Sequence, residues 1–349
     1  MTTDLISVGR PAPQHAAGIG DAARQRLSEL AIPAGALGRL GEAAVWLATV
    51  QGVCPPTPIQ QIRAVVFAGD NGVSEHGVSA YPREITALMV RAFLSGGAGV
   101  AVLARQHGVH LRVLDMCVDA DLDDVPADVV AAKVRRSSGA IHLTDAMTAE
   151  QTRAALQAGA AVAAEEIDAG ADLLIGGDMG IGNTTPAAAL IAASLGLPAA
   201  EVTGRGTGVD DATLDHKSAV IDQALRRAAD RTADPVDLLS ALGGPDFAAG
   251  VGFLVAAARL RTPVLLDGVI SVAEALVAEQ VAPGATRWFI AGHRSPEPAQ
   301  GLALDKLGLS PLLDLGMRLG EGSGAMAAVP LLRSASALLS EMGLLSDLG

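Results

Sequence analysis

The chain has 349 residues, half of them hydrophobic, 18% charged and 2% aromatic, with a formal net charge of -13. That length holds one large domain with a smaller appendage, or two domains, and the apolar content excludes a disordered chain. An excess of 38 acidic over 25 basic residues repels phosphate backbones and anionic lipid, so nucleic acid and membranes are excluded as partners.

The N-terminal LISVG, flanked by Asp4 and Arg10, lacks the basic head and long apolar run of a secretory signal. Cys54 and Cys117 are far apart and outside any metal-ligand spacing. Together these features predict a cytoplasmic protein with neither disulfide nor zinc site. Helical spacing runs from Ala22 to about Val53, with a break at Pro33-Ala34-Gly35. The proline-rich Cys54–Pro58 then acts as a stiff connector and marks a boundary.

Beyond it, five short apolar runs end in a glycine, an aspartate or a histidine: Ala64–Asp70, Leu111–Asp119, Asp172–Asp178, Thr262–Gly268 and Arg287–His293. They alternate with Ala- and Leu-rich segments at Ile85–Gln106, Thr148–Ala169, Pro186–Leu195, Thr213–Asp230, Phe247–Leu260 and Val272–Gln280. Such alternation predicts an α/β fold whose parallel sheet carries helices on both faces, with ligands bound at the carboxyl ends of the strands. Met179–Ala200 has the length of a membrane span, but its glycines and prolines make it a loop feeding a buried helix. The apolar tail from Met326 reads as a helix that packs on the N-terminal ones. The expected division is therefore 1–53 with 326–349 as a small helical domain, and 54–325 as the large α/β catalytic domain.

Gly177-Asp178-Met179-Gly180-Ile181-Gly182-Asn183-Thr184-Thr185-Pro186 stands between a strand and a helix. Gly180 and Gly182 let a ligand approach the backbone, and Thr184 or Thr185 is expected to cap the helix. Free amide hydrogens there suit a phosphate. A glycine-rich turn with no ligand is the alternative. Neither a Walker loop nor a dinucleotide fingerprint fits the spacing.

A second glycine turn, Thr203–Asp211, offers Arg205 and, one helix on, Lys217 as charges for a phosphate; solvated surface roles are the alternative. Asp210-Asp211 reads as a capped helix start. Glu321 lies among Gly320, Gly322 and Gly324, where a partly buried carboxylate has the proton affinity of a general base; a surface turn is the alternative. His293 alone is a weak candidate. Asp70 is catalytic, ligand-binding or a turn former.

These segments, read in order, resemble the nicotinate-nucleotide:dimethylbenzimidazole phosphoribosyltransferase family nearly end to end. The strings that carry the likeness are PAGALGRL (33–40), the strand end at 67–73, GVSAYP (77–82), GGAG (96–99), MGIGNTT, TGRGTG, LLDG, AGHRSPEP and RLGEGSGA. The resemblance implies a homodimer with a Rossmann-like parallel sheet and a small helical domain made from both termini.

It also implies transfer of 5-phosphoribose from nicotinate mononucleotide to a benzimidazole, giving α-ribazole 5′-phosphate, with no metal and no cofactor. By the same likeness Glu321 is the general base, supported by Asp178. Gly180, Ile181, Gly182, Asn183 and Thr184 form the phosphate cradle, and Gly206, Lys217, Ser295, Arg318 and Gly320 line the nucleotide site. Tyr81, Met89 and Leu319 meet the base. The sequence departs from the family at Asp178, where glutamate is common, and at Asn71, where histidine is. Tyr81 and Met89 stand where some relatives carry serine and glutamine, which makes the base pocket more apolar. A non-catalytic nucleotide- or benzimidazole-binding protein of the same fold is the alternative function.

Overall fold

The computed structural model describes residues 6–348. Each of the five apolar runs overlaps a strand: β1 (Ile62–Gly69), β2 (His110–Cys117), β3 (Leu173–Met179), β4 (Val264–Leu266) and β5 (Phe289–Ala291). They form one parallel sheet in the order β2-β1-β3-β4-β5. After β2 the chain returns past β1 to reach β3. Connections therefore diverge at the carboxyl ends of β1 and β3, which is where such sheets open a ligand crevice.

The N-terminal helical segment is α1 (Ile19–Glu29) and α2 (Gly38–Gln51), separated at the expected break. Ile85–Gln106 departs from expectation: it is two helices, α3 (Ile85–Leu94) and α4 (Gly99–His107). Gly96, at φ 78°, turns the chain between them in the left-handed region that disfavours other residues. Residues 85–107 match a membrane span in length and hydropathy. The break leaves two helices of 10 and 9 residues, each well under the roughly 20 that a bilayer needs.

Next come α5 (Ala127–Val130), α6 (Ala149–Asp168), α7 (Thr184–Leu195), α8 (Ala199–Val202) and α9 (Asp211–Arg227). They are followed by α10 (Pro235–Leu242), α11 (Pro245–Arg259), α12 (Val269–Val281), α13 (Pro298–Leu307) and α14 (Ser323–Glu341). Sequence reading missed α10 and α13, which are short and begin on prolines suited to a first helical turn. Local chemistry fixes several ends. Thr148 and Gln151 form a reciprocal capping box on α6, and Asp210 accepts from the Thr213 amide at 2.9 Å to cap α9, as expected.

The pleat of β3 assigns its two faces, because successive residues point to opposite sides. Gly176 faces Phe253 of α11, whereas Gly177 lies directly under the backbone of Glu321 and Gly322. Helices therefore cover both faces of the sheet. On the α11 side, α6 and α11 approach so closely that a Cβ on Gly159 would collide with the Ala249 carbonyl, and one on Gly252 with that of Leu156. This contact accounts for the Ala- and Gly-rich composition of both helices and for the complete burial of α11 up to Ala258.

On the other side, Gly322 meets Ile175 of β3 and Val100 of α4. The far end of α14 meets the N-terminal helices, where Arg26 donates to the carbonyls of Leu339 and Ser340 at 2.7 and 3.0 Å. Residues 9–12 instead run along the end of α12, with Gly9 and Ala12 amides donating to the carbonyls of Val281 and Pro283.

Candidate active site

A cavity of about 680 Å³ lies over the carboxyl ends of β3, β4 and β5. Of the residues singled out from sequence, Tyr81, Met89, Asp178, Gly180, Ile181, Gly182, Asn183, Thr184, Gly206, Ser295, Arg318, Leu319, Gly320 and Glu321 all line it. Val78, Ser79, Asp267, Ser271, His293 and Glu297 line it as well. Four carboxylate residues thus face one guanidinium, that of Arg318. Among the described residues, no group of three or more His, Cys, Asp or Glu is arranged to hold a metal ion.

Glu321 is the most unusual residue of the site. Its φ is 67°, and its neighbours Gly320 and Gly322 are at 77° and 90°. A β-carbon-bearing residue in this region is held there only when its surroundings over-determine it, and such outliers concentrate at functional sites. The surroundings are visible. Gly177 carries no side chain that would displace the Glu321 carbonyl, and Asp267, at the end of β4, accepts from the Gly322 amide at 3.0 Å and the Ala325 amide at 2.9 Å.

Glu321 is only 6% exposed and its Oε2 makes no hydrogen bond. Burial pushes its carboxyl up to about 7, opposed by the Val100 amide and reinforced by the charge of Asp267. A carboxyl poised near neutrality at the wall of a cavity can accept a proton from a bound ligand.

Asp178 has different surroundings. It points to the α11 side of β3, accepts from Asn183 Nδ2 at 2.7 Å, and leaves Oδ2 unpartnered. Burial and the nearby charge of Asp246 push its carboxyl well up, and burial does the same to Glu274. Burial and the Asp246 charge thus bias Asp178 toward its protonated form. Asp178→Asn keeps the size and an uncharged group at a site that disfavours charge, so kcat should fall by less than about tenfold, well short of the loss of a general base. A drop as large as that of a Glu321 variant in steady-state assays would show that the carboxyl itself is required.

The glycine loop needs correction in three details. First, neither Thr184 nor Thr185 caps α7: the helix starts at Thr184, and Asn183 precedes it without a side-chain cap. The Thr184 hydroxyl instead accepts from Lys217 Nζ at 2.7 Å, which turns the threonine away from capping. Second, the Ile181 amide is already donated to Thr86 Oγ1 at 3.2 Å, and those of Asn183 and Thr185 turn back onto Gly180 and Gly182. What is left to meet an anion is Gly182 and the positive end of α7.

Third, Lys217 does not line the cavity. It is fully buried behind Thr184, donates also to the Gly204 carbonyl at 3.0 Å, and has its ammonium lowered to about 8 by burial. It staples the second glycine turn to the first.

That second turn is not an open phosphate nest. The Gly206 amide is occupied by Glu297 Oε1 at 2.8 Å, and Arg205 faces the Val209 carbonyl and Asp211, outside the cavity lining. Asp70 lies outside the cavity lining. Its Oδ2 accepts from the Asp119 amide at 2.7 Å and ties β1 to the loop after β2. Cys54 and Cys117 are both free thiols.

Asp267 and Glu297 were missed as site residues although both lie in strings already noted, LLDG and AGHRSPEP. Asp267 is an acid at the carboxyl end of β4 and Glu297 the N-cap of α13 in the loop after β5, a signal that could have found them.

A parallel sheet with a cavity over the carboxyl ends of β3, β4 and β5, a helix end open to an anion and a buried carboxylate beside it define a nucleotide-handling transferase. In agreement, residues 12–348 match the family model described as "Phosphoribosyltransferase".

Relatives named nicotinate-nucleotide--dimethylbenzimidazole phosphoribosyltransferase are 53% identical. That of Mycobacterium avium (strain 104) aligns over 99% of this chain and 97% of its own length, and that of Mycobacterium tuberculosis (strain ATCC 25618 / H37Rv) over 94% and 90%. The solved structure of CobT from Thermus thermophilus superposes with a TM-score of 0.90 at 42% identity, covering 95% of this chain and 98% of that one. The chain belongs to the nicotinate-nucleotide--dimethylbenzimidazole phosphoribosyltransferase family.

Proposed function

We propose that this chain moves the 5-phosphoribosyl group of nicotinate mononucleotide onto a ring nitrogen of 5,6-dimethylbenzimidazole or a related base, with Glu321 as general base and without a metal. The products are α-ribazole 5′-phosphate and nicotinate. The observation that carries this reading is the buried Glu321 carboxyl, free at Oε2 and raised to about 7, at the wall of a cavity large enough for two rings and a ribotide.

In the reaction, the attacking nitrogen forms a bond to the ribose anomeric carbon from the face opposite the nicotinate. The old carbon–nitrogen bond breaks, and its electron pair stays on the pyridine nitrogen, which becomes neutral. Departure therefore needs neither an acid nor a Lewis acid. The proton on the second benzimidazole nitrogen, acidified as the bond forms, passes to the Glu321 carboxylate. Holding the two rings in line supplies much of the remaining acceleration.

In this reading the phosphate sits at Gly182 and the start of α7, with Lys217 fixing Thr184 from behind and Arg318, Ser295, Gly206 and Gly320 around the ribotide. Tyr81, Met89 and Leu319 supply an apolar slot for the incoming base. Small apolar surfaces at Leu88, Leu94 and Val102, each 41–56% exposed, support a homodimer. The free thiols support a cytoplasmic location, and the packing of α14 on α1 and α2 supports a small helical domain built from both termini.

The test is to mix pure protein with both substrates in the presence of a chelator and look for α-ribazole phosphate; binding of both without product would overturn the assignment. A kcat/KM profile should fall tenfold per pH unit below an acid limb near 7, because only ionised Glu321 accepts the proton. A flat profile from pH 5 to 8 would remove Glu321 as the base.

A further inference from the structure

We propose that Asp267 is a positioning residue for Glu321, its two carboxylate oxygens clamping the turn that presents the base to the cavity. This rests on the reading of Glu321 as the base, and it goes beyond it by naming what holds the base in place.

The geometry is specific. Asp267 ends β4, is 3% exposed, and commits both oxygens to main-chain amides of another segment: Oδ2 to Gly322, adjacent to Glu321, and Oδ1 to Ala325, in the first turn of α14. No side chain of the turn itself caps α14, whose N-cap residue is Gly322. A carboxylate supplied by the sheet therefore does that work, and it favours the positive end of a 19-residue helix. Gln300 in turn donates to the Asp267 carbonyl at 3.3 Å, and Gly177 provides the floor. The turn, with three successive residues at positive φ, is closed from within by the Ser323 amide donating to the Gly320 carbonyl at 2.9 Å, and the Asp267 carboxylate is what ties it to the end of β4.

The same carboxylate has a second effect. Its charge adds to burial in raising the Glu321 carboxyl. The other titratable or charged groups around the cavity are Asp178 from β3, His293 from the end of β5, Glu297 at the start of α13, and Arg318 on the turn's own approach. Of the carboxylates that line it, Asp267 is the one whose charge is felt at Glu321. His293 Nε2 lies 3.5 Å from Asp267 Oδ1, so the clamp is itself flanked by an imidazole.

The experiment compares Asp267→Asn, Asp267→Ser and Glu321→Gln by steady-state kinetics across pH, with thermal melting and nicotinate mononucleotide titration as checks on folding. In Asp267→Asn one acceptor becomes an NH2 group facing an amide N–H, so the clamp opens on one side and the charge is lost. Asp267→Ser keeps one short, neutral acceptor. Both variants should bind nicotinate mononucleotide as the unaltered enzyme does, while kcat falls by about 10- to 100-fold, as for a displaced catalytic group.

In both variants the acid limb should move to lower pH, since the charge that raised Glu321 has gone; a purely structural defect would lower activity and leave the limb in place. Unchanged kcat, an unmoved limb with reduced kcat, or loss of folding or nucleotide binding in both variants would each overturn the proposal. Retained turnover in Glu321→Gln would instead reject the base itself. An inactive Glu321→Gln alongside fully active Asp267 variants would reject the clamp and leave the base standing.

Discussion

Replacing Glu321 by Gln should lower kcat by a factor of about 10² to 10⁴ while leaving nicotinate mononucleotide bound, because general base catalysis contributes that much and the amide cannot take a proton. Shape is nearly conserved, so the positive φ, the Gly177 floor and the Asp267 contacts remain. The buried site loses only a group that is half-ionised near pH 7. Single-turnover product formation together with a binding titration separates the two quantities. Equal loss of binding and turnover would mean that Glu321 holds substrate instead of moving a proton.

Gly177→Ala should have the largest combined effect on stability and rate. A Cβ at this position would overlap the Glu321 carbonyl and come within 2.9 Å of the Gly322 nitrogen, and both are backbone atoms that cannot rotate away. Forcing extra volume into such a contact costs about 1–3 kcal/mol. Relief by lifting the turn would displace Glu321 and cost about 100-fold in kcat. Gly176→Ala is the control. Its Cβ would meet the Phe253 ring at an ordinary 3.7 Å, from the opposite face of the same strand. Urea unfolding midpoints and kcat for the pair should diverge sharply; matching behaviour would mean that the turn is not seated on β3.

What the sequence discloses and what it hides follow from different physics. The five strands were legible because a strand buried on both faces reads as an unbroken apolar run ending in a turn residue, and β1, β3 and β5 all do. Glu321 was legible because an acid among glycines is rarely accidental. Ile85–Gln106 read as one segment because its apolar spacing continues across Gly96-Gly97; only the backbone shows the turn.

The identities of Lys217 and Asp267 were visible, but their tasks were not. Lys217 reads as a cation for phosphate, yet it is engaged with Thr184 and Gly204. Asp267 reads as the end of a strand, yet its partners lie 55 and 58 residues further on. Long-range hydrogen bonds of this kind leave no local periodicity to detect. The Gly206 amide shows the same limit, since nothing near it in sequence announces that Glu297 will occupy it.

The acids beneath the sheet bear on the behaviour of the whole molecule. The formal charge of -13 counts every carboxylate as ionised, but desolvation pushes Asp178 and Glu274 well up, toward their protonated forms, and brings Asp246 to about 7. The native chain is thus less anionic than its composition states. Opening the sheet at neutral pH would release those protons to solvent, because exposed carboxyls ionise near ~4. Folding is coupled to proton uptake here, and by that linkage these three groups favour the native state less and less as the medium rises from about pH 4 toward 7 and above.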